Sequence, residues 1–326
     1  MLRYALIRFA WAGPIVLSII VINFLIIHLV PGDPLQAIVG DFPAPPEYIQ
    51  AVKREFGLDQ PLLTQLWLYL SNLAQGNLGF SFANRQPVLT LVADRAQYTL
   101  LLMIPALTIA ACAGVLLALT AAPRAGSTYD GAITALSLAG YSMPIFWFGQ
   151  ILVVVFAINL GWLPAQGMKS LRAPATGFGL AKDVIWHMIL PAFGVSIYYV
   201  AVVSRVARAS VYQTLHQDFV LTAKAKGMSW SYTLFRHVLP NAIIPVVTVI
   251  GYNFGSSLTG AILVESVFAW PGLGSLFITS ISNRDYPVLQ GIFLLTGITV
   301  VLTNLATDLL YAVFDPRVRE SYRHDA

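Results

Sequence analysis

Charged side chains are scarce in this sequence. They make up 10% of its 326 residues, whereas hydrophobic side chains make up 57%. A soluble globular domain has about a quarter of its residues charged. The mean hydropathy of +0.72 shows the same imbalance. The composition therefore excludes a soluble domain and predicts an integral membrane protein.

Cysteine is almost absent, because Cys112 is the only one in the chain. A single cysteine excludes an internal disulfide and any metal site that needs several Cys or His ligands at close spacing. Cys112 lies inside an apolar run, so we expect it to be a small, packed core residue. We predict no metal site and no cofactor.

The sequence also lacks the motifs of nucleotide binding and of common hydrolases. Glycine is nowhere followed by lysine, so no phosphate-binding loop of the Gly-x-x-x-x-Gly-Lys-Ser/Thr type is present. No His-Glu-x-x-His or Gly-x-Ser-x-Gly motif occurs either. The net charge of +4 comes mainly from loops and forms no basic stripe interleaved with aromatics. We therefore expect no ATP binding by this chain, no catalytic residues and no nucleic-acid partner.

Six apolar runs are long enough to cross a bilayer, which takes about 20 helical residues. They predict transmembrane helices at residues 9–30, 99–121, 133–159, 188–206, 242–264 and 288–314. The third run is longer than a perpendicular crossing and contains Pro144, so we expect tilt or a bend there. In the fifth, Gly251, Gly255 and Thr259 are spaced four apart, which permits close helix approach. The predicted fold class is an all-α membrane protein with about six transmembrane helices.

The predicted spans divide the chain into three parts: residues 1–30 with the first span, an external segment at 31–96, and a core at 97–326. Two amphipathic helices are predicted in the external segment, after Pro45 and from Pro61, followed by a turn at 77–81. Lysine and arginine are denser in the short segments on the opposite side, which places those segments and both termini in the cytoplasm.

The longest polar interruption in the second half is a loop at 213–240. In it Asp218 is predicted to cap a short helix, with Lys224 and Lys226 in its last turn and Gly227 as a left-handed stop. Helical spacing gives this helix two apolar edges, formed by Phe219, Val220 and Ala223 and by Leu221, Ala225 and Met228. From the residues alone, two interpretations stand: a helix that fits a groove in another protein, or a solvated basic loop that fixes membrane orientation.

Ionisable residues near the middle of the spans are lacking. A proton-coupled carrier needs such a group deep in the bilayer, but Glu265 and Asp308 fall near the ends of spans five and six. This argues against a self-sufficient secondary transporter. Four amides are candidates for a transport pathway, although each can instead be satisfied by an interhelical hydrogen bond: Gln150, Asn159, Asn253 and Asn304.

The loop resembles the coupling loop of the membrane subunits of ATP-binding-cassette importers, above all those of the dipeptide and oligopeptide permease family. The resemblance rests on residues 218–227 and on His237-Val238-Leu239-Pro240-Asn241. It departs from the general importer motif where Leu221 and Thr222 stand in place of Glu-Ala, and where His237 stands in place of Ile. Further similar segments lie at 31–34, 56–61, 76–81, 142–149, 163–167, 190–192, 265–274, 284–288 and 315–319.

This resemblance implies a pore-forming subunit that imports peptides by alternating access in a bacterial inner membrane. The implied partners are a second permease of similar fold, two ATP-binding subunits and a periplasmic solute-binding protein. The residues expected to couple to the ATPase are Asp218, Phe219, Ala223, Ala225, Lys226, Gly227, Leu239 and Pro240. Those expected at an outer gate that meets the binding protein are Glu265, Trp270, Pro271, Gly272, Arg284 and Asp285. The alternatives are another cargo, such as glutathione, a nickel chelate or an oligosaccharide, or a stand-alone carrier.

Overall fold

The computed structural model describes residues 2–29, 45–55, 60–81, 83–170 and 176–314, so the similar segments at 31–34 and 315–319 lie outside it. Within these ranges the chain is almost entirely helical. The helices are α1 Leu2–Leu29, α2 Pro46–Glu55, α3 Leu62–Ala74, α4 Val88–Ala121, α5 Thr128–Ser142, α6 Ile145–Leu152, α7 Phe178–Leu215, α8 Asp218–Ala225, α9 Trp230–Thr233, α10 Leu239–Gly260, α11 Ile262–Val267, α12 Leu273–Ser282 and α13 Tyr286–Phe314. A short hairpin pairs β1 Phe80–Ser81 with β2 Gln86–Pro87.

The prediction of an all-α membrane protein with about six spans is confirmed. Five helical segments in the described part are long and apolar enough to cross a membrane: Leu6–Ile26, Val88–Arg124, Phe178–Leu215, Trp230–Ser256 and Tyr286–Leu310. A sixth crossing results if the pair α5 and α6 counts as one span.

The predicted third span is not one helix. It bends by 99° between Thr128–Ser142 and Ile145–Asn159. The residue before a proline is pushed out of the helical region, and Met143 accordingly takes an extended conformation with φ −76° and ψ 129°. Beyond the bend, α6 continues as π-helical turns over Val153–Asn159. The bend predicted at Pro144 is confirmed, and it is sharp enough to separate two helices.

Other helix ends differ from the predicted spans. Helix α4 begins at Val88 and α7 covers Phe178–Leu215, so both extend beyond the hydrophobic runs, and the predicted division at residue 96 falls within α4. Hydropathy detects only the part of a helix that matches hydrocarbon, while polar turns continue the same helix. The predicted fifth span at 242–264 is interrupted, because α10 ends at Gly260 and α11 begins at Ile262.

The centre of the molecule is the contact between α4 and α7. Leu102, Met103 and Ala106 of α4 are buried there with Leu190 and Val195 of α7. A Cβ on Gly114 would overlap the Val203 side chain, so only glycine allows this approach.

A second close contact joins α10 and α13. Here Gly251 faces Thr307, and Gly255 faces Thr303 and Val300. This confirms the predicted close packing for these two glycines. The side chain of Thr259 lies outside the described residues.

Helix α1 packs against α13 and α3 at the edge of the bundle. The Asn23 amide donates to the Tyr69 hydroxyl and to the Gln290 carbonyl, both at 3.2 Å. Nearer its N-terminus, α1 exposes large apolar side chains such as Phe9 and Trp11, as expected for a helix in contact with lipid.

The predicted core position of Cys112 is wrong, because this residue is exposed on α4. An apolar run does not distinguish a side chain packed in the protein from one that faces lipid, since both surroundings are apolar.

Candidate functional site

The short helix α8 begins one residue earlier than its acidic residue suggested. Its N-cap is Gln217, which makes no side-chain capping bond, and Asp218 is the first helical residue. The prediction that Asp218 caps the helix is therefore wrong. Its carboxylate still lies in the first turn, where the helix dipole favours negative charge.

The helix ends as predicted at Gly227, in a Schellman motif. Gly227 has φ +73°. Its N–H donates to the Lys224 carbonyl at 2.9 Å, and the Met228 N–H donates to the Ala223 carbonyl at 3.3 Å. These two bonds satisfy carbonyls that the last helical turn would otherwise leave unpaired. The chain therefore leaves α8 in a fixed direction.

One side of α8 is anchored to the protein. Val220 is fully buried and Ala223 nearly so. Val220 lies against the ends of α4 and α7, in a buried cluster that contains Leu119, Val211 and Leu215. Ala223 therefore faces the interior of this chain, and its role in coupling to the ATPase stays a prediction.

The other side of α8 is an exposed apolar surface. Phe219 is 41% exposed and Leu221 57% exposed, and Trp230 beyond the helix is 44% exposed. The Lys224 ammonium lies 5.4 Å from the centre of the Trp230 ring. Asp218, Ala225, Lys226 and Gly227 are exposed as well. We name this set, with Met228, the loop-helix surface.

A π-helical stretch at Leu234–Val238 leads from the loop to α10. It directly precedes Leu239 and Pro240. Because proline has no N–H to donate to the carbonyl four residues before it, the regular helical ladder is interrupted here. Leu239 packs against the same buried cluster as Val220, whereas Pro240 is exposed. The Nε2 atom of His237 is buried without a hydrogen-bond partner in the described part of the chain.

On α4, the end remote from α8 is joined to the 265–275 segment by polar contacts. The Thr99 hydroxyl donates to Glu265 Oε1 at 2.6 Å and accepts from the Leu273 N–H at 2.8 Å. Glu265 Oε2 accepts from the N–H groups of Gly274 and Ser275 at 2.7 and 3.1 Å, which caps the start of α12. We name this arrangement the Glu265 latch.

Burial dominates the electrostatics of the latch. It raises the pKa of Glu265 to about 7, against the hydrogen bonds from Thr99, Ser275 and Gly274, which lower it. A Cβ on Gly272 would overlap the Glu265 carboxyl group, so glycine is needed for this close approach.

Two further contacts hold the same region. The indole N–H of the buried Trp270 donates to the Tyr98 carbonyl at 2.8 Å. At the start of α13, Asp285 accepts from the Ser81 hydroxyl at 2.5 Å. Burial raises the pKa of Asp285, and the hydrogen bond from Ser81 opposes this rise.

The outer gate stays a prediction, but the structure limits which of its residues another protein can touch. Glu265, Trp270, Gly272 and Asp285 are buried within the chain, so they cannot form a surface that another protein touches directly. Pro271 is half-buried and Arg284 is exposed. The acidic and aromatic residues of this segment hold it together internally.

The four predicted pathway amides do not come together in one site. Gln150 and Asn159 are exposed on the segment after the 99° bend, and Asn253 is half-buried on α10. Asn304 is exposed and lines a groove between α1 and α13. Their role in a pathway stays a prediction.

Sequence reasoning missed Thr99, Arg95 and Trp230. Thr99 stands at the start of an apolar run and carries no motif, so only the fold reveals its bond to Glu265, 166 residues away. Trp230 could have been found from the sequence, because tryptophan in a polar loop is typical of a contact surface.

Comparison with known proteins identifies the family of the chain. Residues 114–320 match the family described as binding-protein-dependent transport system inner membrane component, and residues 1–103 match the N-terminal part of such components. A di/tripeptide transport system permease protein of Pseudomonas aeruginosa is 39% identical over 333 residues, which cover 98% of this chain and 99% of the relative.

Two further relatives match at the same coverage, 98% of this chain and 99% of each relative. A dipeptide transport system permease protein of Escherichia coli strain K12 is 38% identical. A glutathione transport system permease protein of an Escherichia coli O6:H1 strain is 39% identical. The chain therefore belongs to the family of binding-protein-dependent transport system inner membrane components.

Proposed function

We propose that this chain is one of two permease subunits of an ATP-driven importer that carries peptides or peptide-like solutes into a bacterial cell. The names of the similar permeases support this cargo, two for di- or tripeptides and one for glutathione. In this proposal ATP is hydrolysed by two separate subunits, a binding protein delivers the solute from outside, and both termini lie in the cytoplasm.

The observation that carries the proposal is the loop-helix surface. Phe219, Leu221 and Trp230 expose large apolar area beside two lysines, at a loop predicted to stand in the cytoplasm. Exposed apolar patches of this kind mark contact sites, and a helix seated in a hydrophobic groove is a common mode of recognition. We assign the ATPase subunit as the occupant.

The anchored side of α8 supports a mechanical role. Val220 packs against the ends of α4 and α7, so a displacement of α8 is transmitted to the two helices that form the centre of the bundle. Such a displacement would shift the chain between inward-open and outward-open states, a two-state change biased by ATP.

At the opposite end, we propose that the segment with the Glu265 latch acts as the outer gate. The latch joins α4 to α11 and α12, because Glu265 is bonded to Thr99 and to the start of α12. A movement of α4 would therefore move this segment directly. Pro271 and Arg284 are the residues of the predicted outer set that remain for contact with the binding protein.

The test replaces Leu221 by serine in a transporter reconstituted with its partner permease, ATPase subunits and binding protein. We expect ATP hydrolysis stimulated by the loaded binding protein, and solute uptake, to fall about tenfold or more, because a leucine in a contact core contributes on the order of 2 kcal/mol. Leu63→Ser is the matched control, since Leu63 is 80% exposed on α3, far from the loop. Unchanged coupling in Leu221→Ser, or uptake without any ATPase subunit, would contradict the proposal.

A further inference from the structure

A large cleft opens near the end of α4 that is remote from α8. Its volume is about 920 Å³, in the range of sites that bind small molecules. Four parts of the chain form its walls: the start of α4, residues 166–170, helix α7 and the turn at 269–271. The polar side chains that the cleft brings together carry both signs of charge: Asp94, Arg95, Tyr98, Lys169, Ser170 and His187.

Hydrogen bonds fix these walls in place. Arg95 Nη1 donates to the Pro271 carbonyl at 3.1 Å, which ties α4 to the turn. On the other wall, the Ser170 N–H and hydroxyl donate to the two carboxylate oxygens of Asp183 at 2.6 and 2.8 Å. A site whose walls are already ordered loses little conformational entropy when a ligand binds.

The turn in the cleft wall also stores backbone strain. Ala269 has φ +47°, a left-handed conformation that a residue with a Cβ avoids. The residues on both sides hold it there: the Phe268 carbonyl accepts from the Gly167 N–H at 2.8 Å, and the Trp270 N–H donates to the Glu265 carbonyl at 2.8 Å. Strained residues of this kind cluster at ligand sites and switch regions.

The depth of the polar groups favours a small solute over a protein surface as the ligand. Arg95, Tyr98 and Ser170 are half-buried, and His187 is 8% exposed. Among the polar side chains of the lining, Asp94, Gln166 and Lys169 are exposed at the rim. A broad partner surface would reach the rim residues alone, whereas a small molecule held between Asp94 and Lys169 at the rim can also meet the recessed Arg95.

We propose that this cleft binds a small zwitterionic solute such as a dipeptide, with its carboxylate at Arg95 and Lys169 and its ammonium group at Asp94. The cargo class is taken from the proposed function, on which this inference rests. The cleft would then hold solute released by the binding protein before it enters the pathway, directly beside the Glu265 latch.

The experiment measures binding of radiolabelled dialanine by equilibrium dialysis. It uses the transporter assembled with its partner permease and ATPase subunits in lipid nanodiscs, without binding protein. The variants are Asp94→Asn and Lys169→Gln. Lys182→Gln is the matched control, because Lys182 is exposed on α7 at the same end of the molecule and does not line the cleft.

We expect the dissociation constant for dialanine to rise about tenfold in each cleft variant, the usual effect of losing one charge-assisted contact, and to be unchanged in the control. N-acetylated dialanine should bind more weakly than dialanine to the wild type, with little further loss in Asp94→Asn. Dialanine amide, which lacks the carboxylate, should also bind more weakly than dialanine to the wild type, with little further loss in Lys169→Gln. This pairing assigns each end of the solute to its residue.

Two results would overturn the inference: no dialanine binding to the wild type, or equal affinity in the cleft variants and the control. Stimulation of ATP hydrolysis by loaded binding protein is measured on the same preparations. If the variants lose stimulation but keep solute affinity, the cleft is a docking surface for the binding protein and the solute site is refuted. If the wild type shows no stimulation, the proposed function fails instead, independently of dialysis.

Discussion

Replacing Gly227 by valine tests whether the fixed end of α8 matters for coupling. The substitution introduces no clash, because a Cβ at this position meets nothing within 4 Å. Its cost is the left-handed backbone at φ +73°, which amounts to about 1–2 kcal/mol for a residue with a Cβ. Asparagine tolerates this conformation better, so Gly227→Asn is the control of similar size.

The effect should be local. Helix α8 has only 8 residues, fewer than the roughly 12–15 at which an isolated helix becomes marginally stable, so its order depends on the Schellman bonds and on the packing of Val220. A loss of about 1–2 kcal/mol raises the population of the frayed loop about 5- to 30-fold, while the long helices stay folded.

Two measurements separate this local effect from general damage. Hydrogen exchange at the amides of residues 218–228 should accelerate in Gly227→Val by the same factor, and ATP hydrolysis stimulated by the loaded binding protein should fall with it. The thermal midpoint of the detergent-solubilised protein should stay within a few degrees of wild type. The reasoning is refuted if Gly227→Val exchanges and couples like wild type, or if Gly227→Asn is as damaging as Gly227→Val.

Two further predictions concern the other end of α4 and its packing. Because the pKa of Glu265 in the folded chain is about 7, above its ordinary value of 4.5, the latch region should lose stability as pH rises from about 5 to 8. The protection factors of the amides at residues 272–276, which remove the intrinsic rise of exchange with pH, should therefore fall over this range in the wild type and not in Glu265→Gln; constant protection factors in the wild type would disprove the assignment. Gly114→Ala should destabilise the protein by about 1–3 kcal/mol, since its Cβ would overlap Val203, whereas Gly131→Ala, with nothing within 4 Å, should be neutral or stabilising in detergent unfolding; equal effects would contradict the packing described.

Both proposed sites act on the same two helices. At one end of α4, Leu119 packs with Val220 of the loop helix. At the other, Arg95 and Thr99 hold the cleft wall and the latch. At a rise of 1.5 Å per residue these ends lie about 36 Å apart along one continuous helix, and α7 runs beside it. A tilt of this pair is therefore the simplest mechanical link between an ATPase at the loop and a gate at the far end.

The sequence alone determined the membrane class, about six spans, the interruption at Pro144 and the loop helix with its stop at Gly227. These features follow from local rules, because hydrocarbon thickness sets the length of a span, and proline and glycine act on their own backbone. The motif segments were also sufficient to identify the family.

Only the tertiary structure decided which faces of these helices are used. Cys112, in an apolar run, faces outward, and hydropathy could not show this because lipid and protein interior are equally apolar. Ala223, in the polar loop, faces inward. Glu265 and Trp270 were expected at an outer gate, and only the fold shows that they bond to Thr99 and Tyr98, which are far away in sequence. The cleft likewise exists only where α4, α7 and two loops meet, since contacts between distant segments depend on packing of the whole chain and leave no local pattern.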